Sequence, residues 1–184
     1  MIMKISKLIF LFVLAVAAVG CNKDDDNDST PSYTLSSSNF VSTYNLNFLE
    51  EKVTETVTFA NGTTSTSSSV NVGSVFTATK YVFNTDGTFT SSGNYVTTLT
   101  TLQADGTTVQ DDPISLSLNN SGTFGLNVAT GIVILNYSGG PNSGSVDVFE
   151  ISNYSEGTMN LLSEVEVTSG NSRTVTTKEL RFTR

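Results

Sequence analysis

The chain has 184 residues, nine Lys and Arg against seventeen Asp and Glu, no His, no Trp and a single Cys, giving a formal charge of −8. That balance argues against nucleic acid, whose phosphates need a basic footprint, and against electrostatic docking on anionic lipid. Without His, the Ser-His-Asp and Cys-His constellations and His-ligated zinc are all impossible.

At the start of the chain, Lys4 and Lys7 precede an apolar run from Leu8 to Val19. The run is too short to span a bilayer as a helix and has the layout of a signal peptide. Ala18, Val19 and Gly20 lead up to Cys21, and an acidic run, NKDDDND, follows from Asn22 to Asp28. Asp24, Asp26 and Asp28 have the alternate spacing that opens an EF-hand loop. That loop needs Gly at its sixth position and Glu at its twelfth, where this chain has Ser29 and Leu35, so no metal site is expected.

The residues Ala18-Val19-Gly20-Cys21 resemble the lipobox recognised by the prolipoprotein-processing enzymes. The resemblance implies a diacylglyceryl group on the Cys21 thiol, cleavage between Gly20 and Cys21, and acylation of the new α-amine. Two or three acyl chains on one residue meet the requirement for stable membrane attachment. Lys23, Asp24, Asp25 and Asp26 resemble the surface-export signal of Bacteroidota lipoproteins, which implies the outer face of the outer membrane; read from charge alone, the run is a solvated linker. The domain plan is therefore a signal peptide over residues 1–20, a lipidated cysteine and acidic disordered tether over 21–38, and a folded domain over 39–184. After cleavage, seven Lys and Arg stand against seventeen Asp and Glu, a charge of −10. With the only thiol acylated, no disulfide framework is available, and packing and the β-ladder must hold the fold.

From residue 39 onward no window shows helical apolar spacing, while Ser, Thr, Val, Tyr and Phe alternate in runs punctuated by glycine. Strands are expected at about 40–49, 52–60, 63–71, 74–84, 88–102, 107–118, 122–128, 132–138, 145–153, 158–168 and 172–183. Asn61-Gly62 reads as a two-residue hairpin turn, and Thr85-Asp86-Gly87 as a three-residue loop that places Phe83 opposite Phe89. Ala104-Asp105-Gly106, Ala129-Thr130-Gly131 and Ser155-Glu156-Gly157 look like loops of the same kind. The second of these would set Phe124, Leu126 and Val128 opposite Asn136, Ile134 and Ile132, and the third would set Ile151 opposite Leu161. Short connections give an antiparallel meander, which closes most simply into a barrel of about eight to ten strands, with a β-sandwich as the alternative. Thr63 to Ser69 is polar on both faces and is expected at an edge or in a hairpin outside the closed part.

The succession FNTDGTF, GTFGLNVATGIVIL, FEISNYSEGTMNL and LRFTR resembles the lipocalin-like domains common in small Bacteroidota lipoproteins. The resemblance implies a barrel that can hold a ligand, although the Gly-x-Trp signature of lipocalins proper is missing because the chain has no Trp.

No catalytic residues are identified. A Ser-x-x-Lys dyad is absent, since Leu49, Thr77 and Val175 stand three residues before Lys52, Lys80 and Lys178. Glu164 and Glu166 alternate with Val165 and Val167, so the valines should face the core and the glutamates solvent, near Arg173 or Lys178. Asp111 and Asp112 before Pro113 read as a loop, and Glu50, Glu51 and Glu55 as surface charges. The expected function is non-enzymatic binding of a small apolar or amphipathic molecule, with Tyr81, Phe83, Phe89, Tyr95, Phe124, Tyr137, Phe149 and Tyr154 near the barrel interior or its mouth. The only non-protein group expected is the lipid on Cys21. The competing expectation is an accessory subunit or adhesion module that presents the outer wall and the loop from Ser138 to Gly144 to a protein partner. An exposed apolar patch would favour the partner, and a roomy cavity the ligand.

Overall fold

Three turns of one construction set the meander in the computed structural model, which describes residues 33–184. In Asn61-Gly62-Thr63, Asp86-Gly87-Thr88 and Asp105-Gly106-Thr107 the Asn or Asp Oδ1 accepts from both the backbone N–H and the hydroxyl of the Thr two residues on, at 2.6–3.1 Å. Each glycine takes a left-handed φ of 81–86°, which a side chain would strain. Threonine hydroxyls hold the Asp86 and Asp105 carboxyls below the usual carboxylate range. Their contribution to the turns is therefore complete above the ordinary carboxylate value and is lost as the pH falls through the lowered one. The turn at Asn61-Gly62 is not the expected two-residue type: Phe59 N–H bonds Thr63 O at 2.8 Å, and Ala60-Asn61-Gly62 is a three-residue loop like the other two. The Asn61 side chain, committed to Thr63, selects it.

The elements run α1 (Ser37–Phe40), β1 (Thr43–Thr58), β2 (Thr64–Phe83), β3 (Thr88–Leu102), β4 (Thr108–Gln110), β5 (Ile114–Asn127), β6 (Ile132–Gly139), β7 (Val146–Ser152), β8 (Thr158–Ser169) and β9 (Ser172–Thr183). The antiparallel order β2-β1-β9-β8-β7-β6-β5-β3-β4, with β2 also paired to β3, closes eight strands into a barrel and leaves β4 as one extra strand. This is the all-β, lipocalin-like barrel that the sequence implies, and the sandwich alternative is set aside. Cys21, Lys23, Asp24, Asp25 and Asp26 lie outside the described residues, as do the signal peptide and most of the tether.

Nine strands replace the eleven expected. Glu50-Glu51 and Asn71 to Ser74 offer charge or polarity but no chain reversal, so β1 and β2 run through them. Pro113 cannot donate to a ladder, and the expected strand over 107–118 breaks there into β4 and β5, while β5 continues through Asn119 to Ser121 and takes in the expected strand over 122–128. Within Thr63–Ser69, Thr64 to Ser67 pair with β1 alone, while Ser68 and Ser69 also pair with β3. Tyr33 to Ser38, expected in the tether, belong to the folded unit instead. Ser36 caps α1 by accepting from Asn39 N–H at 3.1 Å, and Phe40 plugs the barrel, its ring 4.7 Å from Phe83 and 5.5 Å from Phe124. The Arg184 guanidinium fastens this end, donating to Tyr33 Oη, Asn39 O and Tyr44 Oη and lying 5.0 Å from the Tyr44 ring centre.

Phe83 stands opposite Phe89 and Ile151 opposite Leu161, as expected. The β5–β6 register differs by one residue: Phe124 pairs with Leu135 and Leu126 with Val133. Asn127 Oδ1 accepts from Ala129 and Thr130 N–H at 3.1 and 3.2 Å, which lengthens the loop by one residue. A one-residue slip exchanges faces, so Val133, Leu135 and Tyr137 fill the core while Ile132 and Ile134 point outward.

The β2–β3 seam that closes the ring is irregular. The register shifts between Ser74 and Thr77 and again between Thr77 and Lys80, with Val75 and Ala78 at φ 50° and 49°. β3 accommodates this at Gly93, φ 116°, where a Cβ would lie 2.5 Å from Ala78 O and from Thr79 Cα. Thr79 Oγ1 then donates to Asn94 O at 2.7 Å. Gly93→Ala is expected to cost about 2–4 kcal/mol in urea denaturation, combining strained backbone with a backbone clash. Gly125→Ala, with nothing within 4 Å and an ordinary φ, should stay within about 0.5 kcal/mol. Equal effects would remove the seam from this account.

Candidate functional site

Alternation along each strand divides the lumen into a filled lower half and an open upper half. Phe83, Phe89, Phe149, Phe182, Leu135, Leu161 and Leu180 are at most 1% exposed and interlock with Phe40 from below. All eight aromatics selected from the sequence reach this cluster: Tyr81, Phe83, Phe89, Tyr137 and Phe149 are buried in it, and Tyr95, Phe124 and Tyr154 are packed against it. Rings so enclosed serve each other. Phe83 meets Phe124 edge-on at 5.1 Å, and Phe89 meets Tyr137 edge-on at 5.2 Å.

Above them lies a polar layer. Tyr137 Oη donates to Asp147 Oδ2 at 3.1 Å and Lys178 Nζ donates to the same oxygen at 3.0 Å, with Lys178 also 5.8 Å from the Phe149 ring centre. Burial raises the Tyr81 and Tyr137 hydroxyls well above the usual tyrosine range, with the Asp147 charge adding to it, so both stay protonated donors. Asn120 belongs to the same level: its amide donates to Ser91 Oγ at 3.3 Å and its Oδ1 accepts from Asn142 N–H at 3.0 Å, pinning the β6–β7 loop. Asp147 and Lys178 were legible in principle, lying two residues before the core residues Phe149 and Leu180. Phe76 was not. The seam irregularity turns its ring inward over Gly73, stacked on Tyr95 at 6.0 Å and 17°, and no period-two pattern foretells that.

The upper half is a trough. β1, β2, β3, β5, β8 and β9 are 12–20 residues long, whereas β6 and β7 have eight and seven, so the wall is low on that side. On the inner face of the tall strands Leu99, Ile114, Leu116, Val165 and Val167 remain 36–57% exposed. The valines thus lie on the core face of β8, as their alternation implied, but above the level where a core exists. On the outer face Arg173 grips Glu166 through two bonds of 2.7 and 2.8 Å. Glu51, expected at the surface, is half-buried and pairs in register with Lys178 and Asn71. A slot of about 190 Å³ opens in the trough wall, lined by Asn71, Thr97, Leu99, Ile114 and Leu116, with Asp111 and Asp112 at its rim. Asn71 Oδ1 accepts from the buried Thr97 hydroxyl, fixing the floor of the slot. A larger hollow of about 470 Å³ lies at the opposite end, beside Ser37, Ser38, Asn84 and Thr85, and carries no charged group.

Among the described residues no group of three His, Cys, Asp or Glu is placed to hold a metal, and no helix is long and apolar enough to cross a membrane. The polar layer is a test of the lumen's electrostatics. Asp147 and Lys178 side chains are about a quarter exposed, so solvent screens part of their attraction. A double-mutant cycle with Asp147→Asn and Lys178→Met should yield a coupling of about 0.5–3 kcal/mol, and strict additivity would show the pair to be a passive contact.

No family model, curated protein or solved structure matches the chain, so its functional reading rests on the trough and the polar layer beneath it.

Proposed function

We propose that this chain is an outer-membrane lipoprotein, anchored through acyl chains on Cys21 and displayed at the cell surface, that binds a small apolar or amphipathic molecule in the trough of its barrel. The observation that carries the binding reading is the cluster of Leu99, Ile114 and Leu116, which stays 36–56% exposed on the concave inner wall and lines the slot. Concave apolar surface with a few placed polar groups is the usual form of a small-molecule site. Here the polar groups are Asn71, Asp111 and Asp112 at the slot and, deeper, Lys178 beside Glu51. An amphipathic ligand would lay its apolar part on the leucines and keep its head toward the carboxylates or the rim. No catalytic step is assigned to these groups. The anchoring part of the reading is supported by the resemblance of Ala18 to Cys21 to a lipobox and of Lys23 to Asp26 to an export signal.

Native mass spectrometry on protein purified without detergent from its host should reveal a co-purifying mass released on denaturation. Titration with a neutral apolar fluorophore should saturate at one site, and Leu99→Asp with Leu116→Asp should weaken it by at least about tenfold. No adduct and no saturable probe binding would end the ligand reading. Cys21→Ser should move the protein out of the membrane fraction, and deletion of Lys23 to Asp28 should leave it acylated but shielded from protease on whole cells. Retention of the serine variant in membranes would end the anchoring reading.

A second reading is favoured by the outer wall, where the β5–β6 register brings Ile132 and Ile134 beside Val146, Val148 and Leu162, four of these five being 38–57% exposed. Such a patch fits a protein partner, and the accessory-subunit role stands on it.

A further inference from the structure

The low side of the barrel leaves one long strand edge bare. β8 pairs with β9 along its whole length, from Thr158 opposite Thr183 to Ser169 opposite Ser172, without a shift in register. On its other side it pairs with β7 only at Asn160, Leu161 and Leu162. From Ser163 to Ser169, therefore, alternate backbone N–H and C=O groups have no ladder partner among the described residues. Of the usual guards against strand addition this edge carries only the charges of Glu164 and Glu166, with no Pro, no Lys, no Gly and no bulge.

Other free edges are shorter, Thr64–Ser67 of β2 and Ile114–Leu118 of β5 among them. β4 is three residues long, and the β5 edge is approached at Asn119 by the β6–β7 loop, so closely that a Cβ on Gly140 would lie 1.8 Å from Asn119 O.

The side chains of the bare edge define what it would accept. Val165 and Val167, 52% and 57% exposed, lie on the inner face, and Glu164, Glu166 and Thr168 on the outer. Arg173 neutralises Glu166, while Glu164 has no ion-pair partner among the described residues. Directly opposed residues on neighbouring strands stand close enough for like charges to repel and opposite charges to attract. A second copy of the chain is a poor occupant: β8 against β8 would set glutamates against glutamates, and Thr108–Gln110 and Ile114–Asn119 carry no cation.

We propose that the Ser163–Ser169 edge of β8 is a strand-addition site for an extended segment of another protein in which cationic residues alternate with apolar ones. Backbone bonds supply the attachment, the apolar residues cover Val165 and Val167, and the cations lie on the outer face, where Glu164 is the carboxylate without an ion-pair partner among the described residues. The site is distinct from the slot on β2, β3 and β5, and does not depend on a ligand there.

The test is fluorescence anisotropy of the purified full chain with a labelled heptapeptide of alternating lysine and valine. Three comparisons accompany it: the same peptide with glutamate for lysine, the same peptide with the amides of one edge N-methylated, and the protein variant Glu164→Lys. Saturable binding is expected, weakened by about tenfold or more by glutamate replacement or by N-methylation, and weakened in Glu164→Lys, which should gain affinity for the glutamate peptide. N-methylated peptide binding as tightly as its parent would show adhesion by charge alone and overturn strand addition. Absence of binding by the parent peptide would overturn it as well, and so would a concentration-dependent dimer in sedimentation that excess parent peptide dissociates, because a second copy would then own the edge.

Discussion

Closure of the ring depends on the β2–β3 seam, and nearly everything inside the barrel follows from how that seam is made. At its lower end the pairing is regular, and the turn at Asp86-Gly87-Thr88 delivers Phe83 opposite Phe89 with ring centres 6.1 Å apart. Midway the register slips twice, at positions where Val75 and Ala78 adopt left-handed backbone. Such conformations cost free energy and persist only where surrounding structure fixes them. Gly93 gives the room and Thr79 the stitch to the neighbouring strand. The product is Phe76 stacked on Tyr95 across the seam, a ledge at the level where the packed base gives way to the trough.

Unequal strand length does the rest. Six strands continue well past the core while β6 and β7 stop, so the upper sheet is wet on both faces and open on one side. That explains a compositional feature with no other evident cause, the run of Ser and Thr from Thr63 to Ser69. A strand buried on one face would need apolar residues at every second position. Here both faces meet water, Thr56 and Thr66 share a hydroxyl contact at 3.2 Å, and the hydroxyls satisfy solvent and each other.

Much of this was legible before the structure. Alternation gave the strand type, the Asp-Gly-Thr pattern gave the turns, and the interior aromatics followed from the two. What escaped was set by side chains acting on loops. Asn127 capping two N–H groups adds a residue to the β5–β6 loop and turns Ile132 and Ile134 outward, a reversal that apolar pattern alone cannot decide, since Ile132 to Leu135 are apolar on both faces. The Asn61 turn escaped for the same reason, an Asx oxygen bonded to the following Thr. Charges misled in the opposite direction: Glu50-Glu51 looked like a break between strands, yet Glu50 faces outward and Glu51 inward within one continuous β1, the latter opposite Lys178. Asp147 and Lys178 sat in plain alternation with core residues and needed only a count in twos. Nothing in the sequence marked the trough itself, because the height at which a strand leaves the core depends on its neighbours' lengths.

In a wall so rich in hydroxyls, the apolar residues of the trough are the exceptions that need a reason. Leu99, Ile114 and Leu116 cluster on adjacent strands β3 and β5, Leu116 directly opposite Tyr95, and share a slot with a hydrogen-bonded floor. Val165 and Val167 stand on β8, beside the low rim. The two groups belong to different edges of the same opening: one is concave and suited to a compact guest, the other is a strand margin with unpaired backbone beside it. A surface selected only for solubility would have placed Ser or Thr at all five positions, as it has at Ser65, Ser67, Ser69, Thr174 and Thr176 on the same inner face. The barrel base holds itself together without them, so covering them would add a stabilisation that folding alone does not supply.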